Sequence, residues 1–231
     1  MKKLLLALII LLTASTSFAV YPTEYLIGNP TFFYEDDEFI SGTLTSGAIG
    51  KQGWNFDGSP TVTTSPLTDR PGAIRFMTPA SSTTNNLCLK LCSATTGKIN
   101  FSNGFDTTVI ISTVSWASSG SYIGYFISDV GVSSNYIGIH ARPTKANWQL
   151  NVTGSSLVDT GIAVTNGTWI KVRLYSNGST VTCYINDILV ATATTTASGQ
   201  AQPVFQINTD DTTARGLDIN YWNLIIPSVA R

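Results

Sequence analysis

The residues whose types could do chemistry are Tyr136, His140, Arg142, Gln149, Asn151, Lys171 and Arg173. The run Tyr136-Ile137-Gly138-Ile139-His140-Ala141-Arg142 alternates with period two. It therefore sets Tyr136, His140 and Arg142 on one face of a strand and Ile137, Ile139 and Ala141 on the other. A tyrosine and the chain's single histidine can move a proton, while an arginine or glutamine beside them can neutralise a carboxylate. The same row, extended by Gln149 and Asn151 on a neighbouring strand and by Lys171 and Arg173 beyond, can instead hold a sugar, because carbohydrate recognition combines planar hydrogen-bonding groups with aromatic platforms. A third reading leaves every one of them on a solvated sheet face.

Such a row needs a sheet to position it, and the stretch Gly167 to Thr192 predicts one. Ile170, Val172 and Leu174 alternate with Trp169, Lys171, Arg173 and Tyr175, the pattern of a half-buried strand. Ser176-Asn177-Gly178-Ser179 supplies the positive φ that a tight reversal requires. Val181, Cys183 and Ile185 then keep the inner phase, and Asn186-Asp187 turns the chain into a third run, Ile188-Leu189-Val190. Trp148, Leu150 and Val152 alternate with Gln149, Asn151 and Thr153 in another strand with a polar outer row. Further strands are expected at Phe105–Trp116, Tyr122–Ile127, Val204–Ile207 and Gly216–Leu224. Leu87, Leu89 and Leu91 point inward in a run whose other face carries Cys88, Lys90 and Cys92, and Trp54 and Phe56 share a buried phase. No segment of useful length carries a 3.6 period, and no internal repeat at fixed spacing is evident. The expected fold is all-β, an antiparallel two-sheet β-sandwich.

Domain organisation begins with residues 1–19, which read as a signal peptide: Lys2 and Lys3, the apolar run Leu4–Leu12, and a small-x-small cleavage site at Ser17-Phe18-Ala19. The apolar run is shorter than the ~20 residues a spanning helix needs. Export to the extracellular side is therefore expected, with no membrane association after cleavage. Residues 20–38 form an aromatic-rich arm with Tyr21, Tyr25, Phe32, Phe33 and Tyr34, lying along the sandwich as an edge strand or docking on a neighbouring subunit. Its last residues, Glu35-Asp36-Asp37-Glu38, read as a solvated turn; calcium there, or at Asp106 or Asp129, has no ligand pattern behind it, and no cofactor is expected. Residues 39–231 make up the sandwich domain.

Of 231 residues only 12% are charged, and the net charge of −1 provides no basic footprint for nucleic acid. The three cysteines are an odd number for an exported chain. Cys88 and Cys92 lie roughly 13 Å apart on an extended run, too far to pair with each other. Cys183 reads as a core position. Three free thiols are expected, with an intermolecular bridge through Cys88 or Cys92 as the alternative.

The order of parts from Tyr136 to Leu224 resembles the concanavalin A-like (laminin G-like) jelly-roll superfamily, most clearly in the strand opened by Trp169 and the turn Tyr184-Ile185-Asn186-Asp187. Relatives usually carry Gly where Asp187 stands. FISGTLTSGAIGKQGW (39–54) and RPGAIRF (70–76) also resemble segments of such modules in bacteriophage virion and tail proteins, although a signal peptide departs from that pattern. The resemblance implies a jelly roll, a fold that hosts lectins, hydrolases, lyases and structural modules alike. Hydrolases of the superfamily carry Glu-x-Asp-x-x-Glu on a central strand. Here the three glutamates, Glu24, Glu35 and Glu38, all precede the main strands. The lyases carry a Tyr-Phe-Lys-Ala-Gly-like segment that is absent, and the flanks of His140 in Gly-Ile-His-Ala-Arg differ from theirs. The expected role is a non-catalytic extracellular or virion-associated structural or adhesion module contacting surface glycans, alone, as a homo-oligomer or with other structural subunits. A dedicated lectin-like module is the alternative, and a lyase using Tyr136, His140 and Arg142 the less favoured one.

Overall fold

The computed structural model describes residues 32–37, 49–50, 52–64, 72–79, 85–91, 99–117, 121–129, 135–209 and 213–227. Residues 1–19, expected to be a signal peptide, the first part of the arm, Glu38 and Cys92 lie outside the described residues.

The alternating runs pair into two antiparallel sheets. Sheet I runs, in spatial order, β14 (Ile188–Thr194), β13 (Thr180–Ile185), β12 (Ile170–Ser176), β7 (Phe105–Val114), β16 (Gly216–Pro227), β4 (Ile74–Met77) and β3 (Thr61–Thr64), with β1 (Phe32–Asp37) paired to the second half of β16. Sheet II runs β11 (Val158–Ala163), β10 (Asn147–Val152), β9 (Tyr136–Ala141), β8 (Ser121–Asp129), β15 (Gln200–Thr209), β5 (Asn85–Lys90) and β2 (Asn55–Asp57), with the short β6 (Ile99–Asn100) also on β15. Neighbours distant in sequence, such as β7 beside β16 and β15 beside β5, give the crossed connections of a sandwich.

The apolar phase of each strand turns into the space between the sheets. Val172, Leu174, Val181, Cys183 and Ile111 face Ile123, Ile127, Ile139 and Leu150 there, all fully buried. Trp54, Trp222 and Phe205 pack ring against ring at 5.2–5.3 Å centroid spacing. Tyr125 brings a polar group into that space. Its hydroxyl crosses from sheet II to meet Thr107 Oγ1 at 2.7 Å and to accept from Trp222 Nε1 at 2.8 Å, both on sheet I. A buried hydroxyl so paired does not carry the cost of an unmet hydrogen bond.

The meander Gly167–Thr192 folds as its sequence predicts. At the Asn186-Asp187 turn both residues adopt positive φ, 51° and 66°, the conformation of a type I′ hairpin. Ile188 and Leu189 beyond it stay exposed at the edge of sheet I.

Two expectations are corrected. Glu35, Asp36 and Asp37 are not a turn but the end of β1, opposite Leu224, Asn223 and Trp222. Pairing the far half of β16, which β4 leaves uncovered, outweighs the local preference of three acids for a turn. Cys88 faces away from the core as expected, yet it is buried, and burial pushes its thiol up to about 11. Cys183 is a free thiol.

Candidate functional site

Alternation along β8, β9 and β10 sends Ile123, Ile137, Ile139, Trp148 and Leu150 into the core and leaves the other phase on the outer face of sheet II. Register then builds a row across seven strands: Asp159, Gln149, His140, Gly124, Gln206, Cys88 and Asp57 stand side by side from β11 to β2. Tyr136 and Asn151 flank this row, half-buried, and Arg142 follows the end of β9. Five of the expected site residues are therefore brought together.

Lys171 and Arg173 are not among them. They sit on β12 of sheet I and face the opposite side of the sandwich. Their charges are also engaged there: Lys171 donates to Asp187 at 2.8 Å, and Arg173 grips Asp106 through two bonds of 2.9 and 2.5 Å while lying 5.6 Å over the Tyr184 ring. Period two reports which side of its own sheet a residue occupies, but it does not say which sheet.

The face is also less open than an outward row implies, since His140 is 3% exposed and Gln149 2%. Two glycines lie opposite ring residues on this face. Gly124 stands opposite His140 and Gly138 opposite Phe126 in the β8–β9 register. A Cβ on Gly124 would come 2.7 Å from His140 Cβ, and one on Gly138 would come 2.7 Å from Phe126 Cγ. The Phe126 ring thus lies over Gly138, an arrangement in which an aromatic side chain shields backbone that glycine leaves bare, whereas the backbone and Cβ of His140 crowd Gly124.

The rings form a ladder along the strand pair. Tyr136 meets Phe126 edge-on at 6.4 Å, Phe126 meets His140 edge-on at 5.7 Å, and His140 meets Tyr122 at 6.1 Å. Arg142 closes the ladder with its guanidinium 5.3 Å over the Tyr122 ring. Tyr122 and Phe126 were not among the expected site residues. A signal for them existed: Tyr122-Ile-Gly-Tyr-Phe126 and Tyr136-Ile-Gly-Ile-His140 share the pattern Tyr-Ile-Gly-x-ring, and antiparallel pairing sets the glycine of each against the ring of the other.

Burial, with the nearby Arg142 charge, lowers the His140 pKa to about 4. The imidazole is neutral at physiological pH, and its Nε2 is buried without a hydrogen-bond partner. The Gln149 amide is turned onto its own strand, donating to the carbonyls of Asn147 and Trp148. At the ends of the row, Asp57 binds Lys90 at 2.8 Å and Asp159 accepts from Asn147 and from the Gly161 amide. These carboxylates stand six strand spacings apart, roughly 29 Å, far beyond the ~5 Å of a retaining glycosidase pair. No cluster of three or more metal-ligating side chains occurs among the described residues.

No protein-family profile matches the chain, and no curated protein matches it in sequence. Solved structures do resemble it. An endo-β-galactosidase from Clostridium perfringens that releases GlcNAcα1-4Gal superposes with a TM-score of 0.60 at 10% identity, over 87% of this chain and 64% of the enzyme. An alginate lyase of polysaccharide lyase family 7 superposes at 0.56 and 14% identity, over 86% of this chain and 96% of the lyase. The carbohydrate recognition domain of Emp47p gives 0.52 and 10%, over 84% and 95%. The fold is a concanavalin A-like jelly roll. Within this jelly roll, sheet II is the one whose outer face carries the Tyr136–Arg142 ladder. The chain spans less than two thirds of the galactosidase it matches, and at these identities the likeness is one of fold alone.

Proposed function

We propose that this jelly roll is a non-catalytic glycan-binding module, exported and acting in surface adhesion, with its site on the outer face of sheet II. The observation that carries this reading is the ring ladder Tyr136–Phe126–His140–Tyr122, whose outer rings Tyr136 and Tyr122 are partly exposed, flanked by Asn151 and Gln206. Rings offer faces for sugars and amides read their hydroxyls. Glycan-recognising and glycan-cleaving proteins among the structural neighbours support a carbohydrate as the ligand. The test is a glycan-array screen of the purified protein beside a Tyr122→Ala/Asn151→Ala variant. Saturable binding lost in the variant supports the reading. If nothing binds, the module is a structural building block and its partner is a protein.

One observation favours a second reading. The sole histidine has an Nε2 without a partner, and the positive charge of Arg142 stands near it, a base and a carboxylate partner of the kinds β-elimination next to a uronate needs. A rise in ultraviolet absorbance from an unsaturated uronate, on incubation with alginate or polygalacturonate and abolished by His140→Ala, would replace binding with lyase activity.

A further inference from the structure

His140 is held in a way that binding alone does not explain. Its Nε2 is buried and unpartnered, while the more exposed ring beside it, Tyr122, and the guanidinium on that ring are lightly held. Tyr122 is 39% exposed, and Arg142 has no carboxylate partner among the described residues. Other arginines contrast with it: Arg75 is held by both oxygens of Asp218 and Arg173 by both oxygens of Asp106. Arg142 is held through its contact with the Tyr122 ring, and Tyr122 in turn lies against His140.

We infer that Tyr122 and Arg142 form a movable cover over His140, and that the anionic group of an acidic glycan opens it by drawing Arg142 off the ring, so that Nε2 meets a sugar hydroxyl. This rests on the glycan-binding reading of the same face. The relative strength of the contacts sets the direction. A cation over an exposed ring is a weak contact, whereas a guanidinium and a carboxylate make a charge-assisted, two-point bond. A carboxylated sugar therefore competes for Arg142 and wins, while a neutral sugar has nothing to offer it. Once Arg142 leaves, Tyr122 has lost the group stacked on it, and the imidazole gains the partner it lacks in the closed state.

The single histidine makes the cover measurable without knowing the natural ligand. Diethyl pyrocarbonate carbethoxylates unprotonated imidazole, so the rate at which N-carbethoxyimidazole absorbance appears in the purified protein at neutral pH reports access to His140 alone. Slow modification is expected for the native protein and for Tyr122→Phe. A rate increase of roughly two- to fivefold is expected for Arg142→Gln, the worth of one exposed cation–π contact. A larger increase is expected for Tyr122→Ala. Arg142 is partly exposed and outside the core, so its variant tests the cover even if Tyr122→Ala fails to fold. Rapid modification of the native protein, or unchanged protection in both opened variants, overturns the cover and leaves glycan binding itself intact. The second arm adds a galacturonate tetramer, and separately its methyl ester, while following the His140 ring resonances by NMR. A saturable shift with the acid and none with the ester is expected. Equal shifts with both, or none with either, overturn the acidic key, and the glycan array decides separately whether the face binds sugars at all.

Discussion

The ring of Phe126 occupies the space that a side chain on Gly138 would need, across the β8–β9 pair. His140 crowds Gly124 through its Cβ and backbone, two residues along the strand pair. Gly138→Ala should therefore push the Phe126 ring off its seat and destabilise the fold by about 1–3 kcal/mol, the usual cost of overpacking. Urea denaturation reads the loss. The control is Gly161→Ala: nothing lies within 4 Å of its added Cβ, and only the positive φ of 71° opposes it.

Tyr125 offers a second test, because its hydroxyl ties the two sheets together. Tyr125→Phe keeps the ring and removes the acceptor of the buried Trp222 Nε1, while Thr107 keeps its bond to the Asn223 carbonyl at 2.6 Å. One stranded donor predicts a loss of about 1–3 kcal/mol in urea melts. A change within experimental error would mean that the Tyr125 bond contributes nothing to holding the sheets together.

Acid should weaken the protein through His140. Its folded pKa of about 4 lies below the ordinary 6.5, so between those values the unfolded chain binds a proton that the folded one excludes. Stability is present in full above pH 6.5 and falls as pH falls toward 4, by about 2 kcal/mol between about pH 7 and about pH 5. The rings of Tyr122 and Phe126 pack against the imidazole, and Arg142 is the charged group that adds to the shift. His140→Gln should flatten the slope in that window, measured by urea melts at both pH values.

Two ion pairs on sheet I should differ sharply in worth. Asp218 is fully buried and takes two bonds of 2.8 and 2.7 Å from Arg75, so Asp218→Ala strands a half-buried guanidinium and should cost about 2–3 kcal/mol. Lys171 and Asp187 are both exposed, and Lys171→Ala should stay within about 0.5 kcal/mol. Thermal melts of the two variants side by side make the comparison.

Much of this jelly roll was legible before folding. Alternation in Ile170–Leu174, Val181–Ile185 and Trp148–Val152 predicted both the strands and their buried sides, because a strand with one face in a core must repeat every second residue. Asn186-Asp187 marked its own turn, since Asn and Asp tolerate a positive φ better than other side chains. These are local facts, decided within a few residues of chain.

What the sequence determined alone, then, was the phase of each strand and the presence of His140, Arg142 and Gln149 on outward phases. Only the tertiary structure decided which phases meet. It set β12 in the sheet away from β9, which separated Lys171 and Arg173 from the rest. It joined β1 to β16, which drew an acidic turn into a strand. It also paired β8 with β9 so that Gly138 received the Phe126 ring and the His140 ring came to lie between Phe126 and Tyr122, turning an outward histidine into a buried one. The physical reason is that period two is set by one strand's own backbone, whereas neighbours and register are set by hydrogen bonds to segments far away in sequence.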